Sequence, residues 1–268
     1  CRNIDVIHAA LNLKEGKRLW LYEDIDRNKK EIQSTHKVGA LVMDIIELFV
    51  DVVPDLSQRW GETALKWGTT CPVRHAACRS LQIFRTIMPA FSQRMVGELL
   101  QRLANTIADP TEEIQGFALE IIMTLSTMVE TLDSEKLMHF PQFFWSAVAC
   151  IHSPHEWEYL EGVNFLKRIF DIMDLNNPST RNVLLVNMPT RWRGAFTGLQ
   201  PLLLKGLRSA LTESRCIDII NSLVSISDSS LVDTSKVRYL FTFMANLPRF
   251  VQGFEPDPHT DGGKDANL

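Results

Sequence analysis

Three segments of the chain can be laid over one another from a shared proline: PVRHAACRSLQIFRTI from Pro72, PTEEIQGFALEIIMTL from Pro110 and PHEWEYLEGVNFLKRI from Pro154. Eight residues beyond each proline stands a small residue, Ser80, Ala118 or Gly162. The positions three, four and seven further on are apolar every time: Ile83, Phe84 and Ile87; Ile121, Ile122 and Leu125; Phe165, Leu166 and Ile169. A fourth copy lacks its proline, with Cys216 followed by Ile219, Ile220 and Leu223. Spacing of this kind gathers the side chains on one face of a helix, and the small residue lets a neighbouring helix come close there. The prolines lie 38 residues apart (72 to 110) and then 44 (110 to 154), near the length of a HEAT or armadillo unit. Such a unit cannot close a core alone and must stack on its neighbours, so the expected fold is an all-α, HEAT/armadillo-like α-solenoid of stacked helix pairs. The alternative is a compact helical bundle whose helices share a stripe.

The rest of the chain agrees with an all-helical reading. From about residue 35 to 251 the apolar spacing is helical, and hardly any run alternates Val, Ile and Thr with polar residues. Helices are expected near 3–13, 18–31, 35–52, 55–68, 73–88, 93–108, 110–131, 139–152, 154–173, 179–186, 195–210, 212–227 and 234–251. Residues 1–253 are expected to form a single solenoid segment, ending in a flexible polar tail, 254–268. With no starting Met and that Pro/Gly-rich tail, the sequence reads as a piece of a longer chain.

The 28 basic and 32 acidic residues are interspersed, for a net charge of −4, which gives no electrostatic footprint for nucleic acid or anionic lipid. No apolar run is both long enough and free enough of charge to cross a bilayer. The five cysteines (Cys1, Cys71, Cys78, Cys150 and Cys216) are scattered without a C-x-x-C pair, as expected of reduced thiols in a cytoplasmic setting.

One stretch raises the question of a metal. CIHSPHEWEYLEG, residues 150–162, holds a cysteine, two histidines and several acids. The histidines His152 and His155 are three apart across an expected helix start, whereas a zinc-binding H-E-x-x-H needs them four apart on one continuous face. Ser153, Pro154 and Glu156 fit a capping box instead, with Ser153 as N-cap and Glu156 at N3, and DPTE (109–112) repeats the pattern. The pair His75 and Cys78 falls inside a repeat helix, with Cys78 beside the stripe. No metal and no cofactor is expected. Motifs of nucleotide binding and of nucleophile-elbow hydrolases are absent, so no small-molecule substrate is expected. The acid pairs Glu112–Glu113 and Glu158–Glu161 are expected at helix N-termini and on a solvated face.

Four words of the sequence carry a resemblance: RHAACRSLQIFR (74–85), DPTEEIQGFALEIIMTL (109–125), EYLEGVNFLKRI (158–169) and FTGLQPLLLKGL (196–207). Together they resemble the C-terminal region of the Furry / cell morphogenesis protein family, in its fungal branch, from about residue 74 to 256. Residues 1–70 join by continuity. The resemblance implies a segment of a very large, non-enzymatic HEAT/armadillo-like scaffold. It would work with an NDR-family kinase and its Mob co-activator in cell polarity, polarised growth, septation and actin organisation, at cortical sites of growth and division. The family offers no catalytic motif to transfer, and no residue-level kinase-binding motif is carried over to this stretch.

Two other classes remain. A peptide-binding armadillo module of another pathway should show a ladder of Asn and Trp, yet Trp60, Trp67, Trp145, Trp157 and Trp192 share no repeat position. A helical enzyme should show polar side chains converging in a pocket. The candidate partner contact is the expected loop PTRWRGAF (189–196), through Arg191, Trp192 and Arg193, since Arg and Trp are enriched at interface hot spots. The stronger reading of the same loop is that Trp192 folds back as a hydrophobic plug at the helix entrance, with the arginines flanking it in solvent.

Overall fold

The computed structural model describes residues 33–108, 115–190, 196–224, 226 and 229–232, with Phe243, Leu247, Phe250 and Val251. Every regular element among them is a helix, and none is long and apolar enough to cross a membrane. Twelve helices are described: α1 (Gln33–Phe49), α2 (Leu56–Thr70), α3 (Arg74–Ile87), α4 (Gln93–Ile107), α5 (Gln115–Glu130), α6 (Ser134–Leu137), α7 (Pro141–Cys150), α8 (Glu156–Ile172), α9 (Pro178–Val186), α10 (Gln200–Gly206), α11 (Glu213–Val224) and α12 (Ser229–Val232). The chain divides into two compact units, Cys1–Asp174 and Leu175–Leu268.

In the first unit α2, α4 and α7 each pack against the helix that follows, α3, α5 and α8, while α1, α3, α5 and α8 pack one on the next. The helices that share the aligned stripe, α3, α5 and α8, are therefore neighbours in space as well as in register. Phe84, Ile121, Ile122, Leu125, Phe165, Leu166 and Ile169 are fully buried, and Ile83 and Ile87 of α3 are partly so. Burying a side chain of this size is worth roughly 1.5–3 kcal/mol. A run of aromatic contacts links Phe91 and Phe140 to Phe143 of α7 and on to Phe165 of α8, with ring centroids 5.7–6.4 Å apart. Edge and tilted geometries of this sort add to the area term.

In the second unit α10 packs on α11 and α9 on α12. The fourth stripe copy lies on α11, where Cys216, Ile219, Ile220 and Leu223 are all buried.

Helix boundaries follow local chemistry. Ser92 caps α4 by accepting from the Met95 N–H, Asp133 caps α6 from Lys136, and Asn177 caps α9 from Ser179 ahead of Pro178 at the first turn. The Lys136 amide and ammonium both hold the Asp133 carboxyl below its ordinary range. The expected helix over 195–210 is shorter, Gln200–Gly206, because Gly198 takes φ 102°, which ends helical geometry before Pro201. The short α6 falls in a stretch expected to be a connection. The expected helices 3–13 and 18–31 lie outside the described residues, as do the tail 254–268 and all but a few residues of 234–251.

Candidate functional site

The small residues at the repeat position differ in what surrounds them. Gly162 lies where α8 crosses the end of α7: a Cβ there would stand 2.8 Å from the Cys150 Cβ and 3.1 Å from the Cys150 carbonyl carbon. Ala118 is buried at 1 % exposure on α5, Cys216 is fully buried on α11, and Ser80 is partly buried, its hydroxyl donating to the Ala76 carbonyl at 2.8 Å. Two close approaches on α2 have no counterpart in the repeat. A Cβ at Gly61 would meet the Pro89 ring at 2.4 Å, and one at Gly68 would meet Leu81 at 2.5 Å. Those glycines let α2 lie against α3 and the turn behind it. A seven-residue glycine spacing on one helix was the signal available for them.

Polar side chains cross both junctions between the aligned helices. Glu120 on α5 is buried, and its carboxylate accepts from Arg85 Nη2 at 2.5 Å and from Gln82 Nε2 at 2.8 Å, both on α3. Arg85 Nη1 reaches the Thr124 hydroxyl at 2.8 Å and the Glu120 carbonyl at 3.0 Å, and Arg79 donates to Gln82 at 2.7 Å. On the other side of α5, Arg168 of α8 pairs with Glu130 at 2.7 Å and with Ser126 at 3.0 Å. A buried ion pair adds little net stability against an apolar replacement, but it demands one relative placement of the two helices.

The stretch that raises the metal question leads into α8. The helix starts at Glu156 with His155 as N-cap and no side-chain cap bond, two residues later than the expected Ser153. The Ser153 hydroxyl accepts from the His155 N–H at 3.1 Å and donates to Glu158 at 2.5 Å. Glu158 is buried at 4 % exposure, which corrects its expected place on a solvated face. Burial, and then the negative charge of Glu158, pushes the nearby Cys150 thiol up to about 12. Cys71, Cys78, Cys150 and Cys216 are all buried free thiols. Among the described residues no three His, Cys, Asp or Glu side chains converge as a metal site. The DPTE segment lies outside the described residues, and so do Arg191, Trp192 and Arg193 of the expected partner loop.

An open groove of ≈ 1000 Å³ lies between α2 and α4. One end is closed by a side-chain amide acting as a backbone mimic: Gln58 donates to the Ala90 carbonyl and accepts from the Ala90 N–H, both at 3.0 Å, and also donates to Glu62 at 2.7 Å. Midway, Arg94 pairs with Glu98 at 3.3 Å. At the other end stand Lys66 and Arg102. Arg102 is held in place, with Nη2 donating to the Cys71 carbonyl at 3.0 Å and its guanidinium 5.0 Å over the Phe117 ring, while its buried Nε has no hydrogen-bond partner. Trp67, 55 % exposed, stands beside Lys66 in sequence. Sequence reasoning missed this groove because its lining has no shared repeat position.

These features define a helical protein built from successively stacked helices, with polar junctions between them and an open groove. Two family models match it: Cell morphogenesis central region over residues 3–116 and Cell morphogenesis C-terminal over residues 141–266. The chain belongs to the cell morphogenesis protein family, and it spans the junction of the family's central and C-terminal regions. It is similar to "Cell morphogenesis protein PAG1" of Saccharomyces cerevisiae, 39% identical over 243 residues, which is 91% of this chain and 10% of that protein. It is also similar to "Cell polarity protein mor2" of Schizosaccharomyces pombe, 34% identical over 235 residues, 87% of this chain and 11% of that protein. The chain thus spans about a tenth of the length of these curated relatives. No solved structure matches it.

Proposed function

We propose that this chain is a non-catalytic scaffold segment of a large cell morphogenesis protein. It acts with an NDR-family kinase and its Mob co-activator in cell polarity and polarised growth, including septation and actin organisation, at cytoplasmic, cortical sites. Its fold in this reading is a HEAT/armadillo-like α-solenoid. The observation that carries it is the succession α1, α3, α5, α8, each packed on the next and all but α1 backed by the helix before it. Such an arrangement offers long exposed faces and needs no pocket. The names of the relatives, one a cell morphogenesis and one a cell polarity protein, support the process.

The test is replacement in the cell. A full-length relative whose matching tenth is exchanged for this chain should support polarised growth, and the same protein lacking that tenth should give rounded or misdirected cells. Normal shape in the deletion strain would remove the segment from the process.

A further inference from the structure

We infer that the groove between α2 and α4 receives an extended acidic segment of a protein partner, with a carboxylate of that segment held at the end formed by Lys66 and Arg102. This rests on the scaffold reading and names the chemistry of one contact.

The dimensions suit a peptide. Each wall is a helix of 15 residues, about 22 Å at 1.5 Å per residue. That length takes roughly six or seven residues of extended chain at about 3.3 Å each. The charges within the groove are unevenly satisfied. Arg94 has Glu98, and Glu62 has the Gln58 amide. Among the described residues Lys66 and Arg102 have no carboxylate partner, and both line the groove from the C-terminal halves of its two walls.

Arg102 is built as a receptor and not as a loose surface cation. Its stacking on Phe117 and its bond to the Cys71 carbonyl fix the guanidinium before anything binds. A fixed, partly buried guanidinium lacking a counter-charge matches the planar, bidentate geometry of a carboxylate. Little side-chain entropy remains to be lost on binding. Gln58 closes the opposite end on Ala90, and Glu62, one turn before Lys66 on that side, disfavours acids, so the groove has a direction for its occupant.

The probe is a fluorescein-labelled octapeptide alternating Glu with Ser, amidated at its C-terminus, beside the same peptide with Gln for Glu. Anisotropy is read with the 268-residue chain at about 50 mM salt, where screening is weak. The Glu peptide should bind at least about tenfold tighter than the Gln peptide. Lys66→Glu, at an exposed position, should erase that preference with melting unchanged, and Arg102→Lys should weaken it while keeping the charge. Equal affinity for the two peptides, no binding of either, or a preference untouched by Lys66→Glu overturns the inference. So does binding of phosphatidylserine vesicles in place of the peptide. The scaffold reading is separated by a parallel capture of a purified NDR-family kinase–Mob complex. If the Lys66→Glu chain loses the peptide but keeps the complex, the groove serves another partner and both readings stand. If the parent chain binds the peptide and never the complex, the groove stands and the kinase partnership falls.

Discussion

Gly162 and Gly97 make opposite demands on the same substitution. At Gly162 a side chain would press into Cys150, so Gly162→Leu should destabilise by about 1–3 kcal/mol or more, as overpacking of a buried contact does. Nothing lies within 4 Å of a Cβ at Gly97, an exposed position inside α4, so Gly97→Ala should stabilise by about 1 kcal/mol through helix propensity. Urea melts of the two variants check both signs. The thiols give a second expectation. With Cys1 replaced by Ser, the native chain should react with a thiol reagent at pH 8 only at its unfolding rate, because all four remaining cysteines are buried and Cys150 titrates near 12. The folded value lies above the ordinary 9.0, so this group's contribution to stability is intact below about pH 9 and is lost as pH rises toward 12. Stability should therefore fall less between pH 8 and 10 in Cys150→Ala than in the parent.

At the scale of helices, the junction between α3 and α5 depends on Glu120. Glu120→Ala leaves Arg85 buried at 10 % side-chain exposure without its carboxylate, and should cost about 3–5 kcal/mol. Glu120→Ala together with Arg85→Met should recover much of that loss, as measured by chemical denaturation, because no buried charge is then left unpaired. The helices themselves were largely legible in sequence. The stripe of α3, α5 and α8 follows from period alone, and expected and observed ends mostly agree within a few residues. What sequence could not supply was pairing across elements. Glu120 stands within an apolar stretch, and only the fold brings Arg85, 35 residues earlier, against it. The bond from Ser153 to Glu158 ahead of α8 was illegible for a related reason: it depends on the burial of Glu158, which leaves that carboxylate needing a donor. The groove was illegible because Lys66 and Arg102 belong to different helices and neither sits in a motif.

At the scale of the molecule, the family could be recognised from four short words, since their combination of small residues, prolines and apolar positions is more specific than any one helix. The division of the matched regions, central to residue 116 and C-terminal from 141, could not be read from the repeat, because the α3, α5 and α8 stripes continue in register across it. The proposed role is that of a scaffold segment acting with an NDR-family kinase and its Mob co-activator. Its most direct test is biolayer interferometry of the immobilised 268-residue chain against a purified NDR-family kinase–Mob complex, with each component also run alone. The complex should bind saturably, and more weakly to Gly162→Leu in proportion to lost folding. A properly folded chain that binds neither the complex nor either component would contradict the proposed role.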